Sequence, residues 1–209
     1  LIVRLPLHLP PAEEAQHWER LGKWLTKQLE RKPGLLTRYQ HADYQSGDTL
    51  RVGQRNYQLL IEEDDRRTHG GRLEGQTLRL TLARGSSAAD RSQAIRTLLS
   101  RVIGRDFLPE ITARVHELND RFFRQPIKSV RLKYNHSNWG SCSHTGNINL
   151  STRLLFAPPP VIDYVIIHEL AHLLELNHSD RYWALVGKAM PDYEQHEKWL
   201  SEHGHQCDF

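Results

Sequence analysis

The 209 residues predict an α+β chain whose N-terminal half is β-rich. Three observations carry that expectation. Between Leu35 and Ala83 apolar residues recur at every second position, the strand period, with glycine-bearing breaks between the runs. From Ala88 onward the spacing becomes helical. Within this second half, Val161 to Leu174 is apolar on nearly every side of a helix, as in a helix buried all round, yet it holds His168, Glu169 and His172.

The length suits one domain, or one with a modest N-terminal elaboration, and is enough to bury a core. Hydrophobic residues make up 38% and charged residues 25%, an ordinary globular balance, and a net charge of +3 is too mild to single out a polyanionic partner. Two cysteines, Cys142 and Cys207, do not make a disulfide framework, which favours a reducing, cytoplasmic setting. The opening L-I-V-R-L-P-L-H-L-P-P is too short and proline-rich for a signal-peptide core. No apolar run approaches the roughly 20 residues of a membrane span, so no membrane association is expected.

In chain order, Leu1 to Leu9 alternates as a first strand, ended by Pro10-Pro11. Ala12 to Lys32 is an amphipathic helix with Trp18, Leu21, Leu25 and Leu29 on its apolar side. Arg20, Lys23, Lys27 and Arg31 fall together on the other side: a solvated face, or else a stripe for an anionic partner such as nucleic acid. Strands are expected near Leu36–Tyr44, Thr49–Val52, Asn56–Glu62, Arg66–Leu73 and Thr77–Ala83, and Y-x-x-G-D-T-L-x-V-G-x-x-Y (Tyr44 to Tyr57) is an antiparallel meander signature. Gly85-Ser86-Ser87 reads as a linker. Ala88 to Phe107 is helical, and Pro109 opens a further helix to about Phe123. Ile127 to Tyr134 alternates as a strand, and His144 to Asn147 turns a second pair around Trp139 to Leu150. Ser179 caps a helix from Asp180 to Met190, and Tyr193 to His203 is the last helix, stopped by Gly204. His203, His205 and Cys207 lie in a short tail expected to fray.

Pro158-Pro159-Pro160 allows the central helix to start. On it, His168 and His172 stand four residues apart and share a face about 40° wide. Such a pair holds one Zn²⁺ by its ring nitrogens, with the neighbouring Glu169 as general base. H-E-x-x-H arises by chance in about one such sequence in twenty, so context decides. The alternative, two satisfied core histidines, has to account for three polar groups inside an apolar shell. A catalytic site needs a third protein ligand. On a continuing helix His178 would lie about 15 Å further along and about 80° off the ligand face. It binds only if the helix ends and the chain turns back, for which Asn177, tolerant of left-handed backbone, is well placed. Glu175 is the competing ligand. The spacing H-E-x-x-H-x5-H equals that of metzincins, which have glycine where Glu175 stands.

Trp139 to Ser143 (W-G-S-C-S), Gly146 to Leu150 (G-x-I-x-L), the run from Pro158 to Trp183 and Met190 to Tyr193 (M-P-D-Y) resemble the YgjP-like metallopeptidases, a minimal zincin group related to the SprT-like and WLM proteins. The resemblance is close over roughly the last 80 residues. Two positions depart from it: Asn138 where relatives usually have arginine, and Ser151 where they usually have asparagine. The periodicity and the linker set off a β-rich region with one amphipathic helix over residues 1–86, which matches the family only in its pattern of elements. A zincin-like metallopeptidase domain would follow over 87–209, its metal-binding helix packed against a small antiparallel sheet. The resemblance implies His168, His172 and His178 as ligands of one Zn²⁺ per chain, Glu169 as the catalytic residue, and a peptide or protein substrate. It also offers Trp139, Gly140, Ser141 and Cys142 as an edge along which substrate lies extended, with Gly140 allowing close backbone approach. Cys142 is either a small supporting residue or a fourth ligand closing the site. Tyr182 and Tyr193 read as core aromatics or oxyanion donors, and His136 and His144 as surface residues. Two other functions stay open: a nucleoside triphosphate (UTP-type) pyrophosphatase, for which no phosphate-cradling glycine loop is present, and a non-catalytic zinc scaffold beside nucleic acid.

Overall fold

A computed structural model describes residues 10–31 and 43–209. The strand expected at Leu1–Leu9 and most of that at Leu36–Tyr44 lie outside these residues. The chain divides into two units, Leu1–His41 and Ala42–Phe209. In the first, α1 spans Pro11–Arg31. Its basic side is partly self-paired, with Lys23 Nζ 2.7 Å from Glu19.

The second unit begins with four strands, β1 (Thr49–Val52), β2 (Arg55–Asp64), β3 (Gly70–Glu74) and β4 (Thr77–Ala83). Their order is β1-β2-β4-β3: β1 and β2 pair antiparallel, as the Tyr44 to Tyr57 stretch predicts, while β4 runs parallel to β2 and lies between it and β3. Burial explains the order. Leu78, Leu80 and Leu82 of β4 are all buried, so β4 takes the middle of the sheet. The Gly-Gly start of β3 suits an edge instead. A side chain at Gly71 would stand 3.1 Å from Leu80 and 3.2 Å from Val102, so glycine lets the next helix approach closely there.

That helix, α2, runs unbroken from Ala88 to Phe122 and corrects the two helices expected on either side of Pro109. Ser87 caps it, accepting from the Asp90 amide at 3.1 Å. Pro109 removes one amide, a cost of about 3 kcal/mol in an isolated helix. Here Arg105 and Pro109 lie on the exposed side of the helix, while Phe107, Ile111 and Val115 hold the buried side on both flanks. Packing outweighs the proline. The helix ends with the Phe123 and Arg124 amides both on the Asn119 carbonyl, Arg124 taking a left-handed φ of 53°.

Beyond it, β5 (Ser129–Lys133), β6 (Gly140–Cys142) and β7 (Asn147–Ser151) form a second sheet in the order β5-β7-β6. It is mixed rather than antiparallel, since β5 pairs parallel with β7. Ile148 and Leu150 are buried on the central strand, and β6 is left as an edge. A 3₁₀ turn, Thr152–Phe156, leads into α3 (Pro159–Ala171), followed by α4 (Asp180–Ala189) and α5 (Tyr193–His203). Helix α3 packs on α2, α4, α5, β6 and β7 and is the centre of this half.

The tail is not frayed. Cys207 and Phe209 are both 2% exposed, and Phe209 meets Phe156 edge-on at 4.9 Å. The Arg153 guanidinium donates to the carbonyls of Cys207 (2.8 Å), Gly204 (3.0 Å) and His136 (3.0 Å), tying the tail to the loop before β6. Gly204 is needed because a side chain there would stand 2.5 Å from the Trp139 ring. No described helix is long and apolar enough to cross a membrane.

Candidate metal centre

Pro158 stands at the N-cap of α3 with prolines in its first turn, as the sequence predicts. From there the spacing puts His168 and His172 on one face near the end of the helix, with Glu169 turned towards β6. The helix stops at Ala171, well before Asn177, and Asn177 is not left-handed. Arg124 alone has a positive φ among the described non-glycine residues. The turn is made earlier, by the amides of Leu173 on Leu170 O and of Leu174 and Glu175 on Ala171 O. This brings His178 back over the helix end. Ser179 then caps α4 through the Tyr182 amide at 3.3 Å.

The three imidazoles converge. One ring nitrogen from each of His168, His172 and His178 lies within 4.8 Å of the others, and Nε2 of His178 is 3.2 Å from Nε2 of His168. Two ring nitrogens about 2.05 Å from one tetrahedral ion stand about 3.3 Å apart, so this spacing fits a shared cation. His168 Nδ1 is buried with no partner, and its Nε2 faces another imidazole. His172 donates Nδ1–H to the Glu175 carbonyl at 3.2 Å, which leaves Nε2 as the free lone pair. Burial, then the charges of His172 and His178, press the His168 pKa down to about 4; burial lowers that of His172 too. Both are therefore neutral at pH 7, the form that binds metal.

The competing candidates stand apart. The Glu175 carboxylate is outside the cluster and lies 4.0 Å from Arg181, while its carbonyl orients His172. Cys142 is likewise outside it; its thiol donates weakly to Ser143 O at 3.5 Å, and burial followed by the Glu169 charge pushes its pKa up to about 11. His136 and His144 are exposed.

Glu169 is 5% exposed, and burial alone pushes its pKa up to about 8. Its carboxyl lies against Gly140: a methyl group there would stand 2.7 Å from Cγ and 2.8 Å from Cδ, and closer still to Oε1. Glycine at this position leaves room for the Glu169 carboxyl.

Several supports were not legible in the sequence. Tyr182, fully buried, donates its hydroxyl to the His168 carbonyl at 3.0 Å. That carbonyl would be served by the His172 amide in a longer helix, but the His172 amide turns to Leu170 O. Trp183 stacks on His178 at 5.8 Å and on Tyr193 at 5.3 Å. Arg114 of α2 grips Asp163 of α3 with two bonds of 2.8 and 2.6 Å. Asn138 and Ser151, the two departures from the family pattern, meet at one residue. Asn135 donates to the Asn138 side chain, and its carbonyl accepts from Ser151 Oγ at 2.9 Å. Both therefore shape the loop before β6.

The profile of the family described as YgjP-like, metallopeptidase domain, matches residues 1–203. Among solved structures, the metallopeptidase zymogen of Pyrococcus abyssi abylysin is 23% identical over 44% of this chain and 93% of its own, with a TM-score of 0.40. That of Methanocaldococcus jannaschii jannalysin is 18% identical over 44% of this chain and 94% of its own, with a TM-score of 0.39. No curated protein matches the chain. With the family profile matching residues 1–203, a span that takes in the seven strands and five α-helices of the described residues, the chain belongs to the YgjP-like metallopeptidases.

Proposed function

We propose that the chain is a zinc-dependent peptidase, with His168, His172 and His178 holding one Zn²⁺ and Glu169 as general base. The observation that carries this is the 3.2 Å approach of two imidazole nitrogens, with a third close by, beside a buried carboxyl. Bound zinc supplies Lewis-acid polarisation of a carbonyl and a water acidified toward about pH 7. Glu169 accepts a proton from the attacking water at a carboxylate oxygen and returns it to the leaving amine nitrogen. The edge strand β6, with Trp139 just before it, aligns an extended peptide beside α3 by backbone pairing. Tyr182 holds the His168 backbone, and its engaged hydroxyl leaves it no part in oxyanion binding.

In this reading the catalytic residues all lie within residues 87–209, after the four strands β1 to β4. The two free cysteines fit a reducing, cytoplasmic compartment. A pyrophosphatase working through Mg²⁺ would want oxygen ligands, whereas the one metal-binding cluster among the described residues is all imidazole. A closed zinc scaffold would want Cys142 in that cluster. The test is Glu169→Gln. It should keep one zinc per chain by elemental analysis and lose casein hydrolysis by at least about 100-fold. Hydrolysis undiminished in that variant would sink the mechanism.

A further inference from the structure

Beside His168 and Glu169 lies a cavity of about 340 Å³, within reach of the roughly 300–1,000 Å³ that ligand pockets occupy. Its apolar walls are Trp139 from the loop before β6, Tyr164 and Val165 one turn before His168 on α3, and Leu200 on α5. Glu197 of α5 completes it from the exposed side. No lysine or arginine lines the cavity, and the two carboxyls that do are Glu169 and Glu197. Among the described residues no cation lies within 4 Å of Glu197; nearby Lys198 and His196 turn to Glu202 and Asp192 instead.

We infer that this cavity receives the substrate side chain next to the scissile bond, and that Glu197 selects lysine or arginine there. The inference rests on the peptidase reading. The chemistry follows from the walls. A lysine or arginine stem is aliphatic and packs on Trp139, Tyr164 and Leu200, while its charged head reaches a carboxylate at the open side. The aromatic faces add attraction for the cation. A glutamate side chain there would meet the Glu197 carboxylate at the open side, with no lysine or arginine in the walls to pair with it, and is disfavoured.

The test uses one peptide series differing only in a single residue (lysine, arginine, leucine or glutamate), with the cut position read by mass spectrometry. Zinc-loaded wild type should cut beside lysine or arginine in preference to glutamate. Glu197→Gln should reduce the lysine-to-glutamate ratio of kcat/KM, and Glu197→Lys should reverse it, a change of about tenfold or more. Calorimetric binding of the same peptides to zinc-loaded Glu169→Gln, with and without the Glu197 changes, reads the cavity without turnover. If nothing is hydrolysed but lysine peptides bind more tightly through Glu197, the cavity assignment stands and the peptidase reading fails. If peptides are cut with ratios indifferent to all Glu197 variants, the cavity assignment is overturned and the peptidase reading stands. No turnover and no binding preference would overturn both.

Discussion

Replacing Gly140 by alanine tests the placement of Glu169 without any knowledge of the substrate. The new methyl would lie 2.7 Å from Glu169 Cγ and 2.8 Å from Cδ, about 0.7–0.8 Å inside an ordinary contact of roughly 3.5 Å. The backbone of β6 is held by its ladder to β7, so the glutamate must yield. Moving it costs about 0.5–1.5 kcal/mol in an off-rotamer side chain, and overpacking a tight site costs about 1–3 kcal/mol in all. If Glu169 is cut to alanine first, the three closest contacts of the methyl vanish and most of the cost goes with them. The assay is a double-mutant cycle of Gly140→Ala and Glu169→Ala, read by urea denaturation of the metal-free proteins. A coupling of at least 1 kcal/mol is expected. Costs that add within about 0.5 kcal/mol would show that the carboxyl does not lie against Gly140. In the zinc-loaded single variant, a carboxylate displaced by about 1 Å should lower turnover about 100-fold while zinc stays bound.

Other outcomes follow from the same geometry. His178→Ala should lose zinc by elemental analysis while Glu175→Ala keeps it; the reverse result would make Glu175 the third ligand. Tyr182→Phe leaves the His168 carbonyl without its donor, so chemical denaturation should show a loss of about 1–3 kcal/mol, and competition with a chelator a zinc affinity lower by tenfold or more. Arg153→Met strands three carbonyls and should cost about 3–5 kcal/mol, with the tail newly open to carboxypeptidase; an unchanged denaturation midpoint would refute its role as the tie.

What the sequence showed was local. Alternation marked Thr49–Val52 and Thr77–Ala83 almost to the residue, and the prolines and Ser179 marked the starts of α3 and α4. His168 and His172 shared a face because four residues are nearly one helical turn. His178 could be placed only by asking where the chain must turn. The actual turn at His172–Leu174 uses neither glycine nor left-handed backbone, so no residue type announced it. Strand order was illegible for a related reason. Insertion of β4 between β2 and β3 depends on which strand hides most apolar surface against α2, a comparison between distant segments. Arg153 left one faint sign, a lone cation in the apolar stretch Leu150 to Ala157. Proline misled at position 109, because the local rule for helix ends gave way to packing on both flanks.

The unbroken helix through Pro109 has a consequence for how the protein opens. Around Gly71, α2 presents Leu98 and Val102 to the first sheet; two residues on, Gly104 meets Thr152 and Leu132 beside the second. One rod thus serves as a wall for both sheets, and neither can peel away without uncovering apolar surface on the other's support. Amide hydrogens on the inner strands β2, β4 and β7 should therefore exchange at one shared rate set by whole-molecule unfolding, while those near the exposed carbonyl of Arg105 exchange sooner. Heat or denaturant should then empty the metal centre and melt the distant first sheet in a single step.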